Sequence, residues 1–284
     1  MSLVIRLRLS IIGIMTLIMT YVTPSHVIQA SDRRLTANGK LYDERANKAI
    51  CISCSNGHFA IAYTGLAVMI ISGKRKRTDE IIVDYLADIG AGNMTTGEVA
   101  AKLAEHFEIL VKAQRLPSEN DKRLTLVLAG YCNNLPFVGG VSNFEDKSGQ
   151  ILAVGTKFNE WIHVLKVSGD NPRLIMVNGC EAVVYDTFWP SIEHRLKKLS
   201  GQSAQEVSEQ LVLLIRWAAH DKKFGKYIGQ DIMSTIIPAS GDFEASYYPL
   251  KAESQSYAPH LIQPNMSFKG LEVWYGEKPP WWKD

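Results

Sequence analysis

The chain has no excess of charge of either sign: 31 Lys and Arg stand against 29 Asp and Glu, for a formal charge of +2. That balance by itself neither favours nor excludes a nucleic-acid partner. Its local basic cluster, Gly73-Lys74-Arg75-Lys76-Arg77, precedes a helix start and reads as a solvated loop, so no nucleic-acid partner is expected. Long apolar runs are also missing. Ile11 to Val22 is shorter than the roughly 20 residues that a membrane span requires. Cysteine is scarce: Cys51, Cys54, Cys132 and Cys180. Cys51-Ile52-Ser53-Cys54 has CxxC spacing, but it sits in a strand-like stretch where residues three apart point to opposite faces. No second CxxC or His pair completes a zinc site, so buried small hydrophobes are expected, without metal or redox use. His26, His58, His106, His163, His194, His220 and His260 form no Ser–His–Asp spacing and read as surface or satisfied structural residues. No internal repeat or low-complexity segment is evident. What remains is an ordinary globular composition, 46% hydrophobic over 284 residues, enough for one large core, alone or with an appendage.

Residues 1–30 admit two incompatible readings. Arg6 and Arg8 before Ile11–Val22, with Ala30 as a cleavage position, resemble a secretory signal, which predicts a secreted or periplasmic protein. Bulky Ile28 makes that cleavage site poor. The alternative begins the structured protein at Thr16. Thr16–Val22 is rich in β-formers, Pro24-Ser25 makes a turn, and His26–Ser31 forms a second strand, giving a hairpin.

Beyond Ser31 a polar loop runs to Gly39, followed by a strand over Asn47–Ser53, an Asn56-Gly57 turn and a strand over His58–Tyr63. Thr78 is placed to cap a helix through Ile89, with Asp79 and Glu80 in its first turn. A second helix follows Thr95 or Thr96, since Val99, Leu103, Phe107, Leu110 and Val111 repeat at helical spacing. Short strands are expected over Leu124–Ala129, Phe137–Val141, Gln150–Thr156, Trp161–Val167 and Leu174–Val177. Helices follow over Ser191–Leu199 and Ala204–His220, the latter opened by the capping box Ser203-Ala204-Gln205-Glu206. Ile232–Ile237 and Ala245–Leu250 close the domain. This order fits an α+β fold of two mainly antiparallel sheets packed face to face between helices. The implied organisation is an extension (1–15), a domain (16–251) and a Pro- and Trp-rich tail (252–284).

Ser31-Asp32-Arg33-Arg34-Leu35-Thr36, a strand containing Lys48 and a strand ending at Gly65 together resemble the proteasome β-subunits and the bacterial HslV-type peptidase. These are N-terminal-nucleophile (Ntn) hydrolases with a four-layer αββα sandwich. In that family an N-terminal threonine is followed sixteen residues later by Asp and sixteen after that by Lys. Thr16, Asp32 and Lys48 match without a gap. Asp221-Lys222-Lys223-Phe224-Gly225 is similar to the family's Asp-x-x-Ser-Gly, with Phe224 in place of Ser, and Asn178-Gly179-Cys180 lacks the serine of a Gly-Ser-Gly turn. The resemblance implies catalytic Thr16, Asp32 and Lys48, with Arg34, Gly65, Asp221 and Gly225 in support. It further implies a peptide or amide substrate, no cofactor, a homo-oligomeric ring, an ATP-dependent unfoldase as partner, and a cytoplasmic location.

The chemistry explains these residue types. A threonine hydroxyl needs an adjacent base, and the residue's own α-amine, with a pKa of about 7.7–8.0, is far more often unprotonated near neutrality than lysine at about 10.4. Lys48 is then a cation that lowers the hydroxyl and amine pKa values, Asp32 orients it, and a backbone N–H near Gly65 serves the oxyanion. Thr16 must be the first residue. Met15 precedes it, so a start at Met15 with removal of methionine exposes it, whereas self-processing members carry Gly before the threonine. Without the spacing, Thr16 is a strand residue, Asp32 a surface partner for Arg33 or Arg34, Lys48 a strand-edge charge and Asp221 a helix-end residue. A noncatalytic subunit and a secreted protein cleaved after Ala30 are the alternatives.

Overall fold

Period-two alternation organises the molecule, and the computed structural model describes it for residues 3–4, 16–37, 40–44, 46–146, 152–165, 174–179, 199, 201–222, 225–250, 255–270 and 272–274. The first strands are Leu3–Val4 (β1), Leu17–Val22 (β2), His26–Asp32 (β3), Leu35–Ala37 (β4), Lys40–Asp43 (β5), Ile50–Cys54 (β6), Gly57–Gly65 (β7), Val68–Ile71 (β8) and Lys74–Arg77 (β9). Helices Thr78–Asp88 (α1) and Thr96–Ala113 (α2) follow, then Leu124–Cys132 (β10), Leu135–Ser142 (β11), Asn159–Val164 (β12) and Leu174–Gly179 (β13). Ala204–Ala218 (α3) leads to Ile232–Pro238 (β14), Glu244–Tyr248 (β15), Gln255–Tyr257 (β16), His260–Gln263 (β17), Met266–Phe268 (β18) and Glu272–Trp274 (β19).

The protein is mixed α+β, with two large sheets ordered β1-β13-β2-β3-β14-β15 and β12-β11-β10-β7-β6-β17-β18. In β7, Phe59, Ile61 and Tyr63 join the apolar face of α1 and α2, where Ile82, Leu86, Val99, Leu103 and Phe107 are buried. The intervening Ala60 and Ala62 face the other sheet, against Val22 and Val27 in one cluster and Ile18 in another. Small residues here let the backbones of the sheets approach, and Gln29 Nε2 reaches across to the Val127 carbonyl at 3.2 Å. The opposite face of β2, Leu17, Met19 and Tyr21, packs on Val207, Leu211 and Ile215 of α3. The stripe on α2 alone contributes about 1.5–3 kcal/mol for each fully buried large apolar side chain.

Several sequence expectations are corrected. The loop from Ser31 to Gly39 contains β4, which pairs with β5. The basic run 74–77 is strand β9, held against β8 by a ladder that its charges do not disturb, because both faces are solvent-accessible or paired, as in Lys76 with Asp84. Arg77, not Thr78, holds the N-cap position of α1, its N–H donating to Glu80 Oε2 at 3.1 Å, and Thr78 Oγ1 donates to the Leu66 carbonyl at 2.5 Å. Residues 152–156 form no strand, since Leu152 N–H and Gly155 N–H bond to the loop carbonyls of Phe144 and Asn143. The segment read as a tail supplies β17, parallel to β6, and β18 at that sheet's edge. Its alternation of buried His260 and Ile262 is too brief to announce a strand. Residues 5–15, Cys180, the helix expected over 191–198, Phe224 and Pro279–Trp282 lie outside the described residues.

Glu145, 2% exposed, bonds to Thr125, and its Oε2 has no hydrogen-bond partner among the described residues. Burial pushes its carboxyl up to about 7 against that hydrogen bond. A raised carboxyl stabilises the fold fully below the unfolded value of 4.5, and that contribution is lost as pH rises to about 7. Urea unfolding of wild type and Glu145→Gln is therefore expected to diverge between pH 4 and pH 8. Wild type should lose about 3 kcal/mol relative to the variant over that interval.

Candidate functional site

The β2–β3 hairpin, closed between Val22 and Val27, places Ser31 opposite Ile18, so Asp32 returns beside Leu17. The Leu17 N–H donates to Asp32 Oδ1 at 2.7 Å. A sixteen-residue step from Thr16 to Asp32 is thus the arithmetic of a tight antiparallel pair. The chain then makes a short excursion through β4 and β5 and returns over residues 46–49, which form no strand, to deliver Lys48 before β6 begins at Ile50. The structure brings Thr16, Asp32 and Lys48 together: Lys48 Nζ lies 2.6 Å from Thr16 Oγ1 and 3.5 Å from Asp32 Oδ2. Lys48 and Asp32 are fully buried and Thr16 is 5% exposed.

Lys48 Nζ also donates to the Arg34 carbonyl at 2.7 Å. Its three acceptors, Thr16 Oγ1, the Arg34 oxygen and Asp32, match the three protons of an ammonium. Among the described residues only donors are arranged around Asp32: the N–H groups of Leu17, Arg34 (2.9 Å) and Gly229 (3.1 Å), beside the Lys48 ammonium. Burial pushes the Asp32 carboxyl up and the Lys48 ammonium down, and each charge opposes the other's shift, aided at Asp32 by the backbone donors. Among the described residues no acceptor faces Asp32 to take a carboxylic proton from it, so the pair is ionic. Since the ammonium donates to Thr16 Oγ1, the hydroxyl's own proton is directed elsewhere and is available to a base.

Arg34 borders the site through its carbonyl, and its side chain is tied elsewhere. Its Nη1 donates to the Lys226 carbonyl at 3.0 Å and its Nη2 pairs with Glu44 at 2.6 Å. Arg33, which the sequence offered as a surface ion-pair residue, is instead fully buried. Its guanidinium stacks 3.4 Å from the Tyr257 ring centroid, and its Nε donates to the Ala46 carbonyl at 3.0 Å. Gly65 ends β7 at φ +105°, where a Cβ would lie 2.2 Å from the Arg123 carbonyl. Asp221 occupies the turn after α3, its carbonyl accepting from the Gly225 N–H at 2.9 Å. No Cβ fits at Gly225, because it would meet the Ala219 carbonyl at 2.2 Å. Contact with Asp32 from this segment comes through Gly229, four residues beyond Gly225.

Gly179, at φ +89°, pairs with Leu17, and a Cβ there would fall 1.8 Å from the Thr16 carbonyl oxygen and 3.0 Å from Thr64 Oγ1. Asn178 lies opposite Ile18, so the strand end beside Thr16 carries no serine hydroxyl. Sequence reasoning missed Gly179 as a contact of Thr16, together with Gly229, Arg33 and the Asp79–Tyr63–His260 group. Only the glycine identities offered a signal. Burial pushes Cys51 up to about 12 despite its bond to Thr235, and Cys54 faces Thr96 on the other side of the sheet. Among the described residues no group of three or more His, Cys, Asp or Glu is placed to hold a metal ion, and no helix is long and apolar enough to cross a membrane. Neither a protein-family model nor a curated protein matches this chain.

Proposed function

We propose that this chain is an N-terminal threonine hydrolase of the proteasome-like Ntn kind, with the αββα sandwich of that class, which cleaves a peptide or amide bond through an ester on Thr16. The observation that carries the proposal is the buried ammonium of Lys48 at 2.6 Å from Thr16 Oγ1, held ionic by Asp32. Once residue 16 is the first residue, its amine takes the hydroxyl proton as Oγ1 attacks the substrate carbonyl. Lys48 stabilises the developing charge on Oγ1, and the tetrahedral oxyanion is assigned to a backbone N–H at the end of β7, by Gly65. Collapse expels the substrate amine, protonated by the ammonium just formed on Thr16. Water then hydrolyses the ester with the same amine as base.

The test is the mature N-terminus of the natural protein, followed by reaction with a threonine-directed β-lactone. Mass spectrometry is expected to find Thr16 as the first residue and the adduct on it, and Thr16→Ala is expected to take no label. A mature chain that retains residues before Thr16 removes the amine mechanism. A noncatalytic subunit is the rival, favoured by Asn178-Gly179 where the family carries serine, and it requires no adduct at all. Cleavage after Ala30 would cut β3 and remove β2, whose six residues are all buried between β13 and β3, from the middle of its sheet. A cytoplasmic homo-oligomeric ring served by an ATP-dependent unfoldase completes the proposal by resemblance.

A further inference from the structure

Lys48 has an unusual support. It lies in residues 46–49, outside any strand ladder, yet its Nζ meets three acceptors at once. A four-carbon side chain can do this only if the backbone on both sides is fixed. We infer that the segment from Tyr257 to Gly270 is the clamp that positions Lys48, with Asn47 and His260 as positioning residues for the chemistry proposed at Thr16.

The grip falls on the residues flanking Lys48. Asn47 Nδ2 donates to the Ala258 carbonyl at 2.7 Å, across 211 residues of sequence. The His260 N–H donates to the Ala49 carbonyl at 2.9 Å, and β17 continues from there alongside β6. Gly270 covers the first bond: a Cβ there would stand 2.2 Å from Asn47 Nδ2 and 2.4 Å from the Ala258 oxygen. Ala46 is fixed from the opposite side by Arg33, whose guanidinium is stacked on Tyr257 and lies 4.9 Å from Tyr247. So the same C-terminal segment also holds Arg33.

A second contact runs through side chains. The Gly270 N–H donates to His260 Nδ1 at 2.9 Å, which leaves the imidazole proton on Nε2, 3.6 Å from Asp79 Oδ2. Asp79 also accepts from Tyr63 Oη at 3.1 Å and from Arg77 at 3.0 Å, and the Tyr63 ring centroid lies 5.9 Å from Lys48 Nζ. The charged groups that bear directly on Lys48 are Asp32, Asp79 and Arg33, with the Tyr63 ring beside it, while Arg77 and His260 bear on it through Asp79. Two of them, Arg33 and His260, are set by residues 257–270.

Reactive geometry tolerates little error, since a 1 Å misplacement can cost about 10²-fold in rate. In the chain that begins at Thr16, Asn47→Ala and His260→Leu are each expected to slow β-lactone acylation of Thr16 by about tenfold or more at saturating reagent. The apparent affinity for the reagent should be unchanged, and the midpoint of the rate–pH profile should shift. His260→Gln, whose amide can accept from the Gly270 N–H and turn an N–H toward Asp79, is expected to restore both. NMR titration of the Lys48 Nζ resonance should shift in Asn47→Ala and His260→Leu and return in His260→Gln. Folded Asn47→Ala and His260→Leu proteins with wild-type rates and wild-type Lys48 titration overturn the clamp. If wild type takes no label, the hydrolase proposal falls, and the Lys48 titration alone decides the clamp. Should Asn47→Ala not fold, His260→Leu, which keeps its backbone bond to Ala49, decides in its place.

Discussion

Lys48→Met, in the chain that begins at Thr16, is expected to lower the rate of Thr16 acylation by about 10³-fold. The loss of one preorganised donor at a developing charge typically costs 10²–10³-fold, and here the donor carries a full charge in a buried site. The same substitution strands the Asp32 carboxylate, which is fully buried. Breaking a buried pair by removing one partner costs about 3–5 kcal/mol. Asp32 keeps three backbone N–H donors, so the lower end of that range is expected. Adding Asp32→Asn separates the two effects. Asparagine removes the stranded charge but sets one amide NH2 against backbone N–H donors, so the double variant should recover only part of the urea stability lost in Lys48→Met while its acylation stays as slow. Labelling of Lys48→Met at the wild-type rate would sink the assignment of Lys48 to the chemistry and leave the pair a structural one.

Gly179→Ala should be the most damaging glycine substitution for the site. At φ +89° any side chain is strained, at about 1–3 kcal/mol, and the added methyl would sit 1.8 Å from the Thr16 carbonyl oxygen. The obstacle is backbone, so β13 and β2 must separate at their ends, and Thr16 moves with them. We expect a stability loss of about 3 kcal/mol or more and acylation slowed along with it. Gly97→Ala is the control: it lies in the first turn of α2 with nothing within 4 Å of the new methyl. Alanine there should stabilise by up to about 1 kcal/mol through helix propensity. Equal, small losses in both variants would mean that β13 does not hold Thr16 in place.

Local physics explains which elements were legible. The hairpin of β2 and β3, the Asn56-Gly57 turn, the stripe of α2 and the capping box before α3 each rest on neighbours within a turn or a strand pair. Where the sequence misled, a longer-range contact had taken over. The run 74–77 looked like solvated charge because its pairing with β8 and its Lys76–Asp84 contact are invisible in a basic tetrapeptide. Residues 152–156 looked β-rich but bond to loop carbonyls instead of a ladder.

The sequence by itself determined the spacing of Thr16, Asp32 and Lys48, and a tight hairpin makes the first sixteen-residue step equivalent to a spatial position, whereas the return of Lys48 past β4 and β5 was a tertiary matter. It also determined that two sets of strands would alternate with amphipathic helices. Only the tertiary structure decided what surrounds the three residues: Gly229 meeting Asp32 across 197 residues, Gly179 beneath Thr16, and residues 257–270 around Lys48. Such contacts form when distant strands become neighbours, and nothing in a local pattern distinguishes a glycine that must admit a carbonyl oxygen from one that merely turns a loop.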